Sequence, residues 1–361
     1  MQRKFFIVLA LFAGTTGRAQ LQVQDRGILY VADGAILTVQ GNIDSKADIL
    51  GPGTVLLKGV SLQQVNMNGF LIPTLQLDNK AGASLEGDVH IGNRLVLSTG
   101  SMSLNAANLF LDAGAVIAGY DKDHYLITNG QGMLIRRALG HAAFTFPVGG
   151  SGDRYNPLTL SQAGTIHDIG LRAMPGILSN GESGIPLTSA AVNVSWELKE
   201  LTTGTNDLVM IADWDAGDEL PGFDRSHAGI VRYEDGKGWD RMAAGDVSVV
   251  EGRYTMAVVG QARTGVFSIA TIEAAAGAES IRVFPNPARM GFYVYLPAKA
   301  GEKTVLHLFD LRGRLVKSQE VSGAGEHYFV LDEGIAAGTY LLQVMHEGVS
   351  VGSKKIVVVK P

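Results

Sequence analysis

Val55-Leu-Leu57, Leu75-Gln-Leu77, Leu95-Val-Leu97 and Leu109-Phe-Leu111 are short apolar alternations set between turns rich in Gly, Asn and Asp. Their spacing decides the fold of the first third of the chain. The apolar positions Val39, Leu57, Leu77, Leu97 and Val116 follow one another at steps of 18, 20, 20 and 19 residues. A near-constant step of about twenty residues is what one coil of a β-solenoid produces, because each coil buries its apolar positions on the next. Gln40, Lys58, Asp78 and Ser98 follow the first four markers and are polar, as outward-facing neighbours should be, whereas Ile117 follows the fifth and breaks the rule. Residues 20–140 are therefore expected to form solenoid-like repeats, with an antiparallel sandwich as the alternative, since short alternating runs suit either.

Working outward, the composition is that of an all-β protein. The chain of 361 residues carries 46 Gly and 11 Pro, a length that suggests about two to three domains. It has no cysteine, so neither a disulfide framework nor a Cys-ligated metal contributes to its stability. At the N-terminus, Arg3 and Lys4 precede the apolar run of residues 5–13 (FFIVLALFA), and Gly17-Arg-Ala19 places small residues where a signal peptidase reads. Residues 1–19 are expected to be a secretory signal peptide, too short for a membrane span, leaving Gln20 to begin the mature chain. Removing them takes away Arg3, Lys4 and Arg18 and no acid, so Lys+Arg falls from 30 to 27 against 35 Asp+Glu and the formal charge from -5 to -8. That balance argues against nucleic acid as a partner, because no basic patch replaces its counterions.

The texture changes after His141. Phe144-Thr-Phe-Pro-Val-Gly-Gly150 joins a strand-like run to a turn cluster, and short strand-like runs recur as far as Thr271. Residues 141–271 are expected to form a β-sandwich, with Trp196, Trp214 and Trp239 as core or sheet-face aromatics. Residues 272–280, small and acidic, read as a linker to the C-terminal segment 281–361.

In that segment Pro285 and Pro287 fix φ and remove two amide donors, so Phe284-Pro-Asn286-Pro287 must leave any strand ladder. Runs at 291–296, 305–310, 314–318, 327–331, 339–346 and 351–360 then alternate as strands, with Gly313 suited to a tight turn. The segment carries Pro285-Asn286-Pro287, an Asp-x-x-Gly-Arg turn (Asp310, Gly313, Arg314), Gly338-x-Tyr340 and a closing strand with Lys354 and Lys355. Together these resemble the C-terminal sorting domain, type A, of the type IX secretion system of Bacteroidetes-type bacteria. The order of repetitive strands, "FPVGG" and a sandwich also resembles segments found ahead of that domain in Bacteroidetes surface proteins. The resemblance implies an Ig-like sandwich that folds by itself and carries the sorting signal in these ten residues. It implies passage through the periplasm and the outer membrane by the type IX machinery, then removal of the domain. The remainder is then released or joined to surface lipopolysaccharide.

Chemistry-bearing candidates are few. Asp213, Asp215 and Asp218, with Gly217 between, could wrap oxygen ligands around Ca²⁺, although the EF-hand spacing is incomplete: the twelfth position is Asp224 and the glycine falls one place early. A solvated acidic loop is the alternative. Asp121-Lys-Asp123-His124 reads as a charged loop and Asp153-Arg154 as a salt bridge within a turn. No catalytic residue and no cofactor site other than the Ca²⁺ candidate is identified, since the histidines are scattered and no hydrolase or phosphate-loop pattern occurs. The sequence thus points to an exported, non-enzymatic surface or secreted protein, a stalk, matrix or adhesion component with a protein or glycan ligand. The alternative is a glycan-binding or glycan-degrading β-protein.

Overall fold

The computed structural model describes residues 20–162, 164–202, 208–259, 264–272, 281–296, 304–311, 313–346 and 349–360. The expected signal peptide (1–19) and residues 273–280 of the expected linker lie outside them. The regular structure of the described residues is β-strand, apart from two single-turn 3-10 helices, Ala216–Asp218 and Arg225–His227.

From Leu21 the chain winds as a β-solenoid of about six turns. One side stacks Leu21–Val23 on Ile43–Ser45 on Gln63–Asn66, all parallel. Another stacks Ile36–Val39, Thr54–Leu57, Leu71–Asp78 and Val89–Thr99, again parallel, which settles the choice between solenoid and antiparallel sandwich. The register puts Val39, Leu57, Leu77 and Leu97 in one buried column. The fifth marker does not join it. Val116 stands opposite Arg94 and is 47% exposed. The reason is register: Leu109–Leu111 and Val116–Ala118 pair in succession along the long strand Val89–Thr99, and the second segment sets Ile117, not Val116, opposite the buried Leu95.

At the corners, backbone groups that leave the ladders need other partners. The carboxylate of Asp48 accepts from the Leu71 N–H (2.9 Å), that of Asp88 from the Asn108 N–H (2.7 Å), and the Asn108 side chain from the Met133 N–H (3.1 Å). Buried Gln63 donates through Nε2 to the carbonyls of Val39 (3.0 Å) and Gly41 (2.5 Å), and accepts from Asn79 (3.0 Å).

The solenoid passes into a sandwich without a break. Leu134–Leu139 pairs parallel with Leu109–Leu111 on one side and antiparallel with His167–Pro175 on the other. The same sheet continues through Val194–Glu200, Gly265–Thr271, Ala228–Glu234 and Gly238–Ala244. Facing it is a five-stranded sheet of Phe144–Phe146, Leu158–Gln162, Leu208–Trp214, Arg253–Val259 and Val247–Val250. One apolar core runs through both regions, from Val31 to Ile269. Trp196 and Trp214 are buried in it, and the Trp196 indole donates to the Asn156 carbonyl (2.9 Å). Trp239 is a sheet-face aromatic whose indole donates to Leu178 (2.7 Å). At the seam the buried pair Arg172 and Glu197 meets across two strands, and Arg172 also donates to Gly130 of the solenoid (2.6 Å).

The C-terminal segment has a core of its own. A three-stranded sheet (Arg282–Phe284, Gly291–Leu296, Gly325–Val330) packs on a four-stranded one (Leu315–Val321, Thr304–Asp310, Gly338–His346, Val349–Val358). Phe292 and Phe329, stacked at 5.0 Å, fill the space between them with Leu306, Leu308, Leu342 and Ile356.

Leu77 sits fully buried between Leu57 and Leu97, while Gln76 beside it points outward. Leu77→Ala is expected to lower the unfolding free energy by about 2–5 kcal/mol. Gln76→Ala is expected to change it by no more than about 0.5 kcal/mol. Urea titration followed by circular dichroism separates the two outcomes.

Candidate sorting site

The Pro-Asn-Pro segment is tied to the last strand by the asparagine side chain. Asn286 donates through Nδ2 to the Lys355 carbonyl (2.7 Å) and accepts at Oδ1 from the Val357 N–H (2.8 Å). The flanking prolines have no N–H to give, so a side-chain amide with both a donor and an acceptor takes over the ladder at this point. Backbone pairing resumes at once: the Ala288 N–H donates to Val357 (2.7 Å), and the Val359 N–H to Ala288 (2.8 Å). Pro285, Asn286 and Pro287 thus form one unit with the strand that carries Lys354 and Lys355.

The turn of Asp310, Gly313 and Arg314 is closed from within. Asp310 accepts at Oδ1 from the Arg314 N–H (3.0 Å) and at Oδ2 from its guanidinium (3.2 Å), and its carbonyl accepts from the Gly313 N–H (2.9 Å). Gly313 has φ +76°, the left-handed region that glycine occupies without a Cβ clash. Tyr340 is buried, and its hydroxyl donates to the Ala336 carbonyl four residues upstream (2.8 Å), in the manner of a tyrosine corner. Asp310, Tyr340 and Ile356 lie opposite one another across three strands, and Gly338 lies opposite Val358. The ten motif residues therefore gather along the four-stranded sheet and its seam with residues 285–288.

One face of that sheet meets the middle sandwich. Leu341 and Phe309 pack on Val209 and Ala257. A Cβ at Gly313 would come within 2.7 Å of Val209 Cγ2, and Lys354 pairs with Asp246. The opposite, three-stranded sheet carries an exposed aromatic row that the sequence motifs do not single out. Phe284 stacks on Tyr293 at 5.7 Å, and Tyr293 meets Tyr328 at 4.9 Å. Strand alternation was the available signal, since these residues alternate with the buried Phe292, Val294 and Phe329.

The acidic candidates lie far from this domain in sequence and are engaged with arginines. Asp213 and Asp215 both pair with Arg253, whose other nitrogen donates to the Tyr155 carbonyl (2.6 Å). Burial pushes the Asp213 carboxyl up, against the opposing pull of Arg253. Asp218 is buried and accepts from Arg154 (2.6 Å), Asn156 (2.8 Å) and the Asp215 N–H (3.1 Å). Among the described residues no group of three or more His, Asp or Glu side chains is placed to hold a metal ion. The expected bridge within the Asp153-Arg154 turn is replaced: Arg154 reaches Asp218, and Asp153 accepts from the Ser151 hydroxyl (2.7 Å). Asp121 accepts from the N–H groups of Asp123 (2.8 Å) and His124 (2.9 Å), which makes that charged stretch a self-closed turn.

Three substitutions at two positions test these roles. Asp218→Ala leaves the Arg154 and Asn156 donors without their acceptor and is expected to cost about 1–3 kcal/mol. Adding Ca²⁺ is expected to leave the melting temperature of the parent unchanged. Asn286→Ala is expected to cost the C-terminal sandwich about 1–3 kcal/mol, while Asn286→Asp, which keeps the acceptor for Val357, is expected to fall between it and the parent. Differential scanning calorimetry of the full chain reads all three.

Residues 282–359 match the family model described as the secretion system C-terminal sorting domain. Neither a curated protein nor a solved structure matches the chain. The matched span contains all ten motif residues and both sheets of the C-terminal sandwich. A sorting domain of this kind marks its bearer for export by the type IX system, followed by secretion or attachment at the cell surface. Residues 282–359 are thus a C-terminal sorting domain of the type IX secretion system, with the secretion machinery as its partner.

Proposed function

We propose that the mature chain is a non-enzymatic structural component of the cell surface or secreted matrix, a stalk or adhesion element. The observation that carries this reading is the single core shared by solenoid and sandwich, which makes the exported region a continuous β-body. Its outward polar side chains bond to one another along the stack of coils. Lys58 pairs with Asp78 (3.0 Å), Gln76 with Ser98 (2.9 Å), Asn42 with Gln64 (3.1 Å) and Asp44 with Asn66 (3.2 Å). Side chains committed to such ladders stiffen a rod. They are not gathered around a reacting bond.

A second reading, glycan binding, rests on one feature of the solenoid flank. His90 and Phe110 stack at 4.3 Å and 13°, with the Arg137 guanidinium 5.4 Å from the Phe110 ring and paired with Asp112 (3.0 Å). Burial, and then the nearby Arg137 guanidinium, lowers the His90 pKa from its ordinary value. A flat π-surface beside a charged pair suits the face of a sugar ring.

Export and processing are expected to leave a chain that begins near Gln20 and ends within residues 272–280, free in the medium or joined to lipopolysaccharide. Intact-mass measurement of surface and medium fractions from the native host checks this. Full-length protein confined to the cytoplasm contradicts it. Calorimetric titration with cell-surface polysaccharide separates the two readings. Heat of binding that disappears in Phe110→Ala favours the glycan reading, and no heat in the parent favours the structural one.

A further inference from the structure

Several motif residues of the C-terminal sandwich are satisfied inside it. Asn286, Asp310, Arg314 and Tyr340 all hydrogen-bond to partners within the domain. Three others stand where the domain meets the middle sandwich. Lys354 finds its ion-pair partner outside the domain, in Asp246. Lys355 lies opposite Leu341, which packs on Val209. Gly313 lacks the Cβ that would come within 2.7 Å of Val209 Cγ2 and 3.1 Å of Ser161 Oγ.

Leu306, Leu308, Leu342 and Ile356 point into the core of the domain, so by strand alternation His307, Phe309, Leu341, Gln343 and Ser353 form the outer face of the four-stranded sheet. The outer face of an antiparallel sheet is commonly solvated. Here Leu341, Gln343 and Ser353 retain only 6%, 4% and 6% of their exposure. The cover is the outer face of the five-stranded sheet, where Ser161, Val209 and Ala257 alternate with the core residues Leu160, Met210 and Met256. The match is incomplete. His307, Gln343 and Ser353 form a row across three strands, and His307 Nδ1 and Ser353 Oγ are buried without a hydrogen-bond partner among the described residues. A polar group buried in that way works against the contact that buries it.

We infer that this outer face is the surface the secretion machinery takes, and that the middle sandwich occupies it as a displaceable cover in the free chain. The chemistry of the partner follows from what the cover supplies and what it leaves out. It carries an aliphatic patch in place of Val209 and Ala257 and a carboxylate in place of Asp246 to meet Lys354. It also brings hydrogen-bonding groups to Ser353 and His307. The cover can leave because little holds it: four apolar side chains, Val209, Ala257, Phe309 and Leu341, and an ion pair whose acid is 46% exposed. Cover and machinery compete for one face, so docking reduces the apparent affinity of the domain for the machinery by the fraction left undocked.

The inference rests on sorting by the type IX system, and the test keeps the two apart. A disulfide can hold the cover in place. A Cβ at Gly313 would lie 3.7 Å from Val209 Cβ, close to the ~3.8 Å of bonded cysteines, and the chain has no cysteine of its own. Residues 20–361 carrying Gly313→Cys and Val209→Cys are sedimented with outer-membrane fragments of the native host, in oxidised and reduced form. The reduced form is expected to bind, the oxidised form to bind about tenfold or more weakly, and fragments from a strain lacking the type IX machinery to retain neither. Comparing two states of one variant cancels any strain at position 313. Asp246→Lys, which repels Lys354 and leaves the sorting domain unaltered, is expected to bind about two- to fivefold more tightly than the parent. If the double variant fails to fold, Asp246→Lys decides the matter. Equal binding of the oxidised and reduced forms overturns the inference, and so does an Asp246→Lys chain that binds no better than the parent. A parent that binds fragments with and without the machinery alike overturns the sorting assignment itself, and the inference with it.

Discussion

A stack of β-coils is stable only where each coil is covered by another, and this requirement organises the molecule from residue 20 to residue 272. A coil of about twenty residues cannot bury its apolar side alone; stacking supplies the missing face and closes the backbone ladder along its edge. The last coil faces the same requirement, and an exposed strand edge there invites unwanted pairing. The chain meets it by turning direction. Leu134–Leu139 is the last parallel strand and also the first partner of an antiparallel sheet, so the sandwich serves as the cap of the solenoid. The buried pair Arg172–Glu197 and the Thr128 hydroxyl, which accepts from the Ala173 N–H (2.9 Å), fasten the cap across the change of direction. A buried ion pair adds little to stability by itself, but with both members hydrogen-bonded it fixes how the strands meet.

The C-terminal sandwich obeys the same rule on a smaller scale. Two prolines open a gap in a strand edge, and Asn286 fills it with one donor and one acceptor of its own. The motif and the closing strand are therefore a single structural feature, although about seventy residues separate them in sequence. The domain keeps a separate core and meets the sandwich through a small apolar contact and one ion pair. A sorting element has to be readable whatever precedes it, and a self-contained core provides for that.

Much of this was legible in the residues, and what was not has physical reasons. The near-twenty step identified the solenoid because burial in a stack is periodic. It failed at Val116, where a turn between two short strands of one coil shifts the register and turns Ile117 inward in its place; a fixed step cannot follow such an insertion. The C-terminal motifs were legible because prolines and a left-handed glycine constrain the backbone wherever they stand. The acidic run from Asp213 to Asp218 could not be assigned from spacing. Arg253 and Arg154, which take up its charge, come from remote stretches of the chain. The sandwich as cap was likewise hidden, because nothing in a run of apolar residues tells whether its neighbour will lie parallel or antiparallel.

The central claim is that solenoid and sandwich are one cooperative unit while the sorting sandwich is another. Hydrogen exchange of the full chain across a urea series tests it most directly. The account predicts that the amides of Val55, Leu77, Ile91, Leu171 and Met210 lose protection at one common midpoint, while those of Phe292, Leu306 and Leu342 do so at another. Loss of protection in the solenoid at a urea concentration that leaves Leu171 and Met210 protected would contradict it.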